Sequence, residues 1–178
     1  MPAFRSEHLV RLMQKAKQRG LITALDVVIP AGAPFALEDL RQPLLYTDLF
    51  LPNEDEARAL TERFDPLEQA EILGRFNPEG TIVITRGSAG ALARRGREKL
   101  RAPAFRVDSI DQSGSGDAFD AGFLVGMLEG WSLENSLRFA SAVGASCTRS
   151  LGCHEGVFNF EETRTFVAHN QLEIVRMA

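Results

Sequence analysis

The chain has 178 residues and a formal net charge of -4, with an isoelectric point near 5.5. Its 44% hydrophobic and 25% charged residues match a soluble globular protein with enough apolar mass for a core, and its length fits a single domain, here residues 1–178. An acidic balance without a basic stripe argues against nucleic acid as partner. No apolar run reaches the roughly 18 residues that a membrane span needs.

The amino terminus, Met1-Pro2-Ala3-Phe4-Arg5-Ser6, lacks the charged-then-apolar layout of a secretory signal, so a cytoplasmic protein is expected. Two cysteines, Cys147 and Cys153, are too few for a disulfide framework. With His154 they lack a fourth ligand at zinc-binding spacing.

Ser6 is positioned to cap a first helix carrying Leu9, Val10, Leu12, Met13 and Ala16 at helical spacing, ending near Arg19-Gly20. Residues 21–29 are apolar on both faces, as in a parallel strand covered from each side, and Pro30-Ala31-Gly32-Ala33-Pro34 breaks the run into a loop. Asp26 within it reads either as a group at the carboxyl end of the strand, where open α/β sheets bind ligands, or as a hydrogen-bonded structural acid.

Residues 46–51 form the next short strand. Asn53 then caps a helix, and Glu56 three residues on completes a capping box. Capping explains that pair, yet the run Asn53-Glu54-Asp55-Glu56 at a strand-to-helix turn equally suits a hydrated Mg²⁺ held by one or two carboxylates and phosphate. Asp65-Pro66-Leu67-Glu68 starts another helix by cap and first-turn proline, and Asn77-Pro78-Glu79-Gly80 ends it.

Thr81-Ile82-Val83-Ile84-Thr85 is a β-branched strand. It stops at Arg86-Gly87-Ser88-Ala89-Gly90, which is either a tight turn or a backbone that lets a nucleotide approach closely. Residues 91–95 and 98–107 read as a hairpin at the sheet edge. Two apolar-faced helices follow at 117–129 and 133–147. The small residues Ser141, Ala142, Gly144 and Ala145 leave room for a flat ligand, or simply for a neighbouring helix. A loop over 148–156 and a last helix over 161–170 complete the chain, with no repeat, linker or low-complexity tract.

The most informative stretch is Asp111-Gln112-Ser113-Gly114-Ser115-Gly116-Asp117. Four residues of little bulk permit a sharp turn with bare N–H groups, placed at the positive end of the following helix. Asp117 stands where it accepts a proton from a hydroxyl attacking a bound anion; the plainer reading makes it a helix cap. No Gly-x-x-x-x-Gly-Lys-Ser/Thr and no Gly-x-Gly-x-x-Gly after the first strand is present. A nucleophile elbow is disfavoured because Gln112 stands where glycine is required.

The ordered set Asn53-x-x-Glu56, Thr85-x-Gly87-x-x-Gly90 and Asp111-x-x-Gly114-x-Gly116-Asp117 resembles the ribokinase-like (PfkB) family of carbohydrate kinases over nearly the whole chain. The resemblance implies an α/β fold, a three-layer αβα sandwich with a mainly parallel sheet, truncated at the amino terminus because family members are considerably longer. It implies that Asp117 is the catalytic base and that Gly114, Ser115 and Gly116 form the anion hole. Thr85, Gly87, Gly90 and Ser141 are then expected along ATP. Asn53 reaches the phosphates, and Glu56 holds Mg²⁺ through water. A monovalent cation such as K⁺ is expected beside Asp111, Ser113 and the backbone at Gly152. Gln112, Ser113 and Ser115 depart from the family's usual loop residues yet keep the turn small.

The implied reaction is phosphoryl transfer from ATP to a hydroxyl of a small-molecule sugar or a sugar-like alcohol. A nucleoside or vitamin-like alcohol as acceptor is the alternative within the same fold, and a truncated non-catalytic nucleotide-binding or interaction module is the alternative outside enzymology. The part the resemblance lacks is the one carrying the first strands, the lid and most sugar contacts. An apolar strand over 21–29 left without its neighbour is expected to favour pairing with another chain, hence a homo-oligomer.

Overall fold

The computed structural model describes residues 6–29 and 36–177. The loop expected over 30–34 lies outside them, as does the Ser6 side chain and hence its capping role. Contacts divide the chain into two compact units, residues 1–84 with 94–97 and residues 85–93 with 98–178.

In the first unit, α1 (Ser6–Gln18), β1 (Ala24–Leu25), α2 (Leu37–Leu44), β2 (Leu49–Phe50), α3 (Glu54–Thr61), α4 (Pro66–Phe76) and β3 (Thr81–Thr85) alternate. The strands pair in parallel, Ala24 with Leu49 and Leu49 with Thr81, as short βα crossovers require. Leu49, Phe50, Ile82, Val83 and Ile84 are fully buried, and Leu44, Ala57, Ala70 and Leu73 pack from the helices. Asp48 knits the entry to this layer: it accepts from Lys17 Nζ at 2.6 Å, from the Thr23 amide at 2.9 Å and from the Thr23 hydroxyl at 3.1 Å. Burial pushes its carboxyl up, but those bonds outweigh burial and hold it below the ordinary carboxylate range.

The long apolar run over 21–29 yields only the two residues of β1, and Leu21, Ile22 and Val28 are 54%, 47% and 84% exposed. A strand covered on both faces is therefore not what this run forms. Helix α2 escapes sequence reasoning because Pro43 sits inside it. The proline is tolerated in the last turn, and the Asp39 carboxylate accepts from the Ala36 amide at the start. The caps at Asn53 and Asp65 form as the sequence indicates.

In the second unit, β4 (Ala91–Arg95) and β5 (Glu98–Ala102) are joined by two residues as a hairpin, followed by α5 (Ser115–Leu128), α6 (Leu133–Cys147), α7 (Phe160–His169) and β6 (Val175–Arg176). Strand β6 pairs antiparallel with β5, Leu100 opposite Arg176, so the hairpin is not the edge of the sheet. The strand order follows the chain from β1 to β6, in a mixed sheet. Strand β5 stops at Ala102 rather than continuing to residue 107, because Pro103 has no N–H to offer a ladder.

Helices α5 and α6 lie close because glycines face the contact. A Cβ on Gly122 would stand 2.9 Å from Ala140 Cα, and one on Gly126 would overlap the Ser136 side chain. Trp131 and Phe139 meet edge-on at 5.2 Å beside this pair.

Candidate active site

The turn that opens α5 is made by Gly114, whose φ of +74° places it in the left-handed region at the N-cap. Its own side is sealed by the loop after α6: a Cβ there would lie 2.8 Å from Cys153 Cα and its carbonyl oxygen. The Ser115 amide donates to the Gln112 carbonyl at 3.2 Å, so that donor of the turn is already engaged. Helix geometry leaves Gly116 and Asp117 without an acceptor inside α5. Gly116 is exposed, with nothing within 4 Å of where its Cβ would stand. Asp117 lies in the first helical turn, exposed to solvent.

A cavity of about 510 Å³ opens beside this turn, entirely within the second unit. Its volume falls in the range of small-molecule and cofactor sites. Thr85, Gly87, Gly90, Ser115, Gly116 and Ser141 all line it, which gathers the residues expected along a nucleotide around one space. Thr85 ends β3, and a short 3₁₀ turn (Gly87–Ala89) carries the backbone to Gly90. Ser141 is 8% exposed and spends its hydroxyl on the Leu137 carbonyl at 2.8 Å, so it contributes a small surface rather than a free donor. Asp117 and Gly114 are not among the lining residues.

Sequence reasoning missed a cavity wall. Pro103, Phe105 and Val107 line one side and Phe119 and Thr148 another. Phe105 is fixed by an edge-on contact with Phe166 of α7 at 5.1 Å. The alternation of apolar residues through 103–107 was legible only as an extension of the strand. Gln112 also lines the cavity; its place between Asp111 and the glycines was the available signal.

Asp111, Ser113 and Gly152 come together. One Asp111 oxygen accepts from the Ser113 amide at 3.0 Å and its hydroxyl at 2.8 Å, and the other accepts from the Gly152 amide at 3.0 Å. Bonds from the Ser113 amide, the Gly152 amide and the Ser113 hydroxyl hold this carboxyl below the usual range. The carboxylate therefore stays charged across two loops, an arrangement compatible with a monovalent cation beside it.

In the first unit, Asn53 and Glu56 form the reciprocal capping box. The Glu56 amide donates to Asn53 Oδ1 at 2.9 Å, and the Asn53 amide donates to Glu56 Oε2 at 2.8 Å. Burial pushes the Glu56 carboxyl up, the Asn53 bonds pull it back, and the charges of Asp26 and Asp55 raise it further. A half-buried acid near two others is short of positive charge, which fits a cation at this position. Among the described residues, no three of His, Cys, Asp and Glu could together hold a metal ion. Mg²⁺ here would be completed by phosphate and water, as that ion prefers. Asp26 follows β1 directly, is exposed, and accepts from the Val27 amide at 2.7 Å.

Among proteins of known name, the chain is 31% identical over 161 residues to a ribokinase of Haemophilus influenzae, which covers 88% of this chain and 50% of that protein. Two solved structures from Escherichia coli share the fold. A ribokinase II-type protein in complex with ATP and Mg²⁺ superposes with a TM-score of 0.79 at 21% identity, over 93% of this chain and 54% of the other. Phosphofructokinase-2 in complex with potassium superposes at 0.78 and 23% identity, over 94% and 53%. The chain thus spans about half the length of the relatives it matches. The family model described as pfkB family carbohydrate kinase matches residues 1–158. With the glycine-bent turn, its clasped acid and the adjoining cavity in view, the conclusion is direct: this chain is a member of the pfkB family of carbohydrate kinases.

Proposed function

We propose that the chain carries the nucleotide-binding and proton-accepting part of an ATP-dependent kinase whose acceptor is a sugar hydroxyl. The observation that carries this reading is the turn into α5. It lines the cavity through Gln112, Ser115 and Gly116 and brings Asp117 into the first helical turn just behind. In this reading the nucleotide occupies the cavity along Thr85, Gly87, Gly90 and Ser141. The amides of Gly116 and Asp117, with the dipole of α5 behind them, stabilise charge on the transferring phosphoryl group. The Asp117 carboxylate accepts the proton of the attacking hydroxyl, and the oxygen so released forms the new bond to the γ-phosphorus as its bond to the bridging oxygen breaks and ADP leaves.

In the first unit, Asn53 and Glu56 are the residues that would hold a hydrated Mg²⁺. When bound, that ion neutralises phosphate charge. Asp111, Ser113 and the Gly152 backbone would take a monovalent cation such as K⁺, keeping the loop in its charged, clasped form. Catalysis is then mostly positioning and charge stabilisation, as phosphoryl transfer requires.

The experiment is ATP turnover against a panel of sugars, nucleosides and vitamin-like alcohols, run beside Asp117→Asn. The expected result is turnover with a sugar, reduced by about two to four orders of magnitude in the variant while calorimetry still records ATP binding. ATP binding without turnover on any acceptor would make the chain a nucleotide-binding module, a reading that its half-length match favours. Full activity in Asp117→Asn would refute the assignment of the base.

A further inference from the structure

One buried nucleophilic side chain has no role in the proposed chemistry. Cys147 ends α6, is fully buried, and points its Sγ at two main-chain carbonyls, that of Ser113 at 3.4 Å and that of Cys153 at 3.3 Å. These carbonyls belong to different segments, the turn that opens α5 and the loop that follows α6. The two segments touch backbone to backbone, since a Cβ on Gly114 would stand 2.8 Å from three atoms of Cys153. Asp111 bridges the same segments through Ser113 and Gly152. The junction therefore has a hydrogen-bonded carboxylate clasp and a buried thiol.

A thiol has one hydrogen, so it donates to one carbonyl at a time and lies against the other. Desolvation pushes the Cys147 thiol up, and the neighbouring Cys153, Asp111 and Asp117 push it the same way. It is thus kept as the protonated donor.

We propose that Cys147 is a positioning residue: its thiol ties the Ser113 carbonyl to the Cys153 carbonyl and so fixes where the α5 turn presents Gly116 and Asp117. The kinetic consequence rests on the phosphotransfer reading above, whereas the structural consequence does not.

The test uses the whole chain with Cys147→Ala, which removes the donor, and Cys147→Ser, which restores one. Amide hydrogen exchange is read first, because it needs no activity. A thiol is a weak donor, so losing its hydrogen bond corresponds to about a two- to fivefold change in an opening equilibrium. In Cys147→Ala, exchange is therefore expected to rise about that much at the hydrogen-bonded amides of Ser113, Ser115 and Gly152, while α6 and β5 hold their wild-type rates. Cys147→Ser is expected to return the two segments towards wild type. Should the alanine variant fail to fold, the isosteric pair Cys147→Thr and Cys147→Val makes the same comparison of donor against no donor.

Where an acceptor is turned over, kcat falls in Cys147→Ala and recovers in Cys147→Ser, with the KM for ATP changing by less than about twofold on the same arithmetic. Unchanged exchange in both segments, a uniform rise through α6 and β5, or a donor variant no better than its donorless partner would each overturn the proposal. A chain with no turnover on any acceptor sinks the kinase reading alone, since the exchange result still decides the role of Cys147.

Discussion

Replacing Gly90 and Gly87 by alanine, one at a time, separates two kinds of constraint within a single turn. Both glycines have positive φ, +88° at Gly90 and +53° at Gly87. At Gly87 nothing stands within 4 Å of the added Cβ. The change there costs the left-handed penalty of about 1–2 kcal/mol, offset by about 0.4–1 kcal/mol because alanine restricts the unfolded chain. The net loss is about 0–1.6 kcal/mol, with a centre of about 0.8 kcal/mol.

Gly90 is different. Its ψ of -136° takes it far from the left-handed helical well, a conformation costing an L-residue on the order of 1–3 kcal/mol. Its Cβ would also overlap the Ala102 carbonyl oxygen and lie 2.7 Å and 2.8 Å from Pro103 C and Cα. Those are main-chain atoms with no rotamer to change, so about 1–3 kcal/mol of overpacking is added. The sum, about 2–6 kcal/mol, is lowered by the same unfolded-chain offset to about 3 kcal/mol at its centre, a large part of the 5–15 kcal/mol that typically holds a fold. Urea titration followed by circular dichroism reads the difference. With m near 2 kcal/mol/M, the midpoint falls by about 1.5 M for Gly90→Ala and by about 0.4 M for Gly87→Ala. Midpoints within about 0.5 M of each other, on the same m, would show that the strand end yields to accommodate a side chain and would refute the reasoning.

Two further outcomes concern carboxyl groups. The Asp111 carboxyl, held low by Ser113 and Gly152, contributes stability that is fully present above the unfolded value near ~3.9 and is lost as pH falls through its lower folded value. The Ser113 and Gly152 amide resonances are therefore expected to titrate with a midpoint below ~3.9, and a midpoint at or above it contradicts the clasp. Glu56 has the opposite sign: a folded value raised by burial makes the ionised form a liability above that value, relieved as pH falls through it. Glu56→Gln keeps an oxygen for the Asn53 amide and removes the charge, so thermal melts at neutral pH are expected to show equal or higher stability, with the gain disappearing near pH ~4. A clear loss at neutral pH would mean that the charge is compensated locally.

What the sequence makes legible is what is locally determined. The Asn53–Glu56 capping box and the Asp65 cap with Pro66 at the first turn are satisfied by neighbours within three residues, so spacing alone specifies them. Strand β3 reads correctly because its five residues, Thr81 to Thr85, are all β-branched and stand between Gly80 and the turn that starts at Arg86-Gly87. Strand β1 does not, since the burial of an apolar run depends on what packs against it, and Leu21, Ile22 and Val28 stay exposed. The two residues of β6 carry no periodicity at all and are strand only by pairing with β5. The glycine-bent turn and its clasp are readable from Asp111 to Asp117, whereas the wall at Pro103, Phe105 and Val107 is made by a strand ending and by a ring contact from α7.

The small residues of α6 show why two readings of one pattern are both correct. Ser141, Gly144 and Ala145 line the cavity, as a flat ligand would require. Gly144 also receives α5, since a Cβ there would stand 3.1 Å from both Phe119 Cβ and the Ser115 carbonyl oxygen. The closeness of α5 to α6 at this point therefore sets how near the turn at Ser115 and Gly116 comes to the cavity wall at Ser141. A larger residue at 144 would push that turn outward by tenths of an ångström even with every loop residue intact, and catalytic groups tolerate little such displacement. The geometry of the proposed anion site is consequently fixed as much by a glycine on the neighbouring helix as by the glycines of the turn itself.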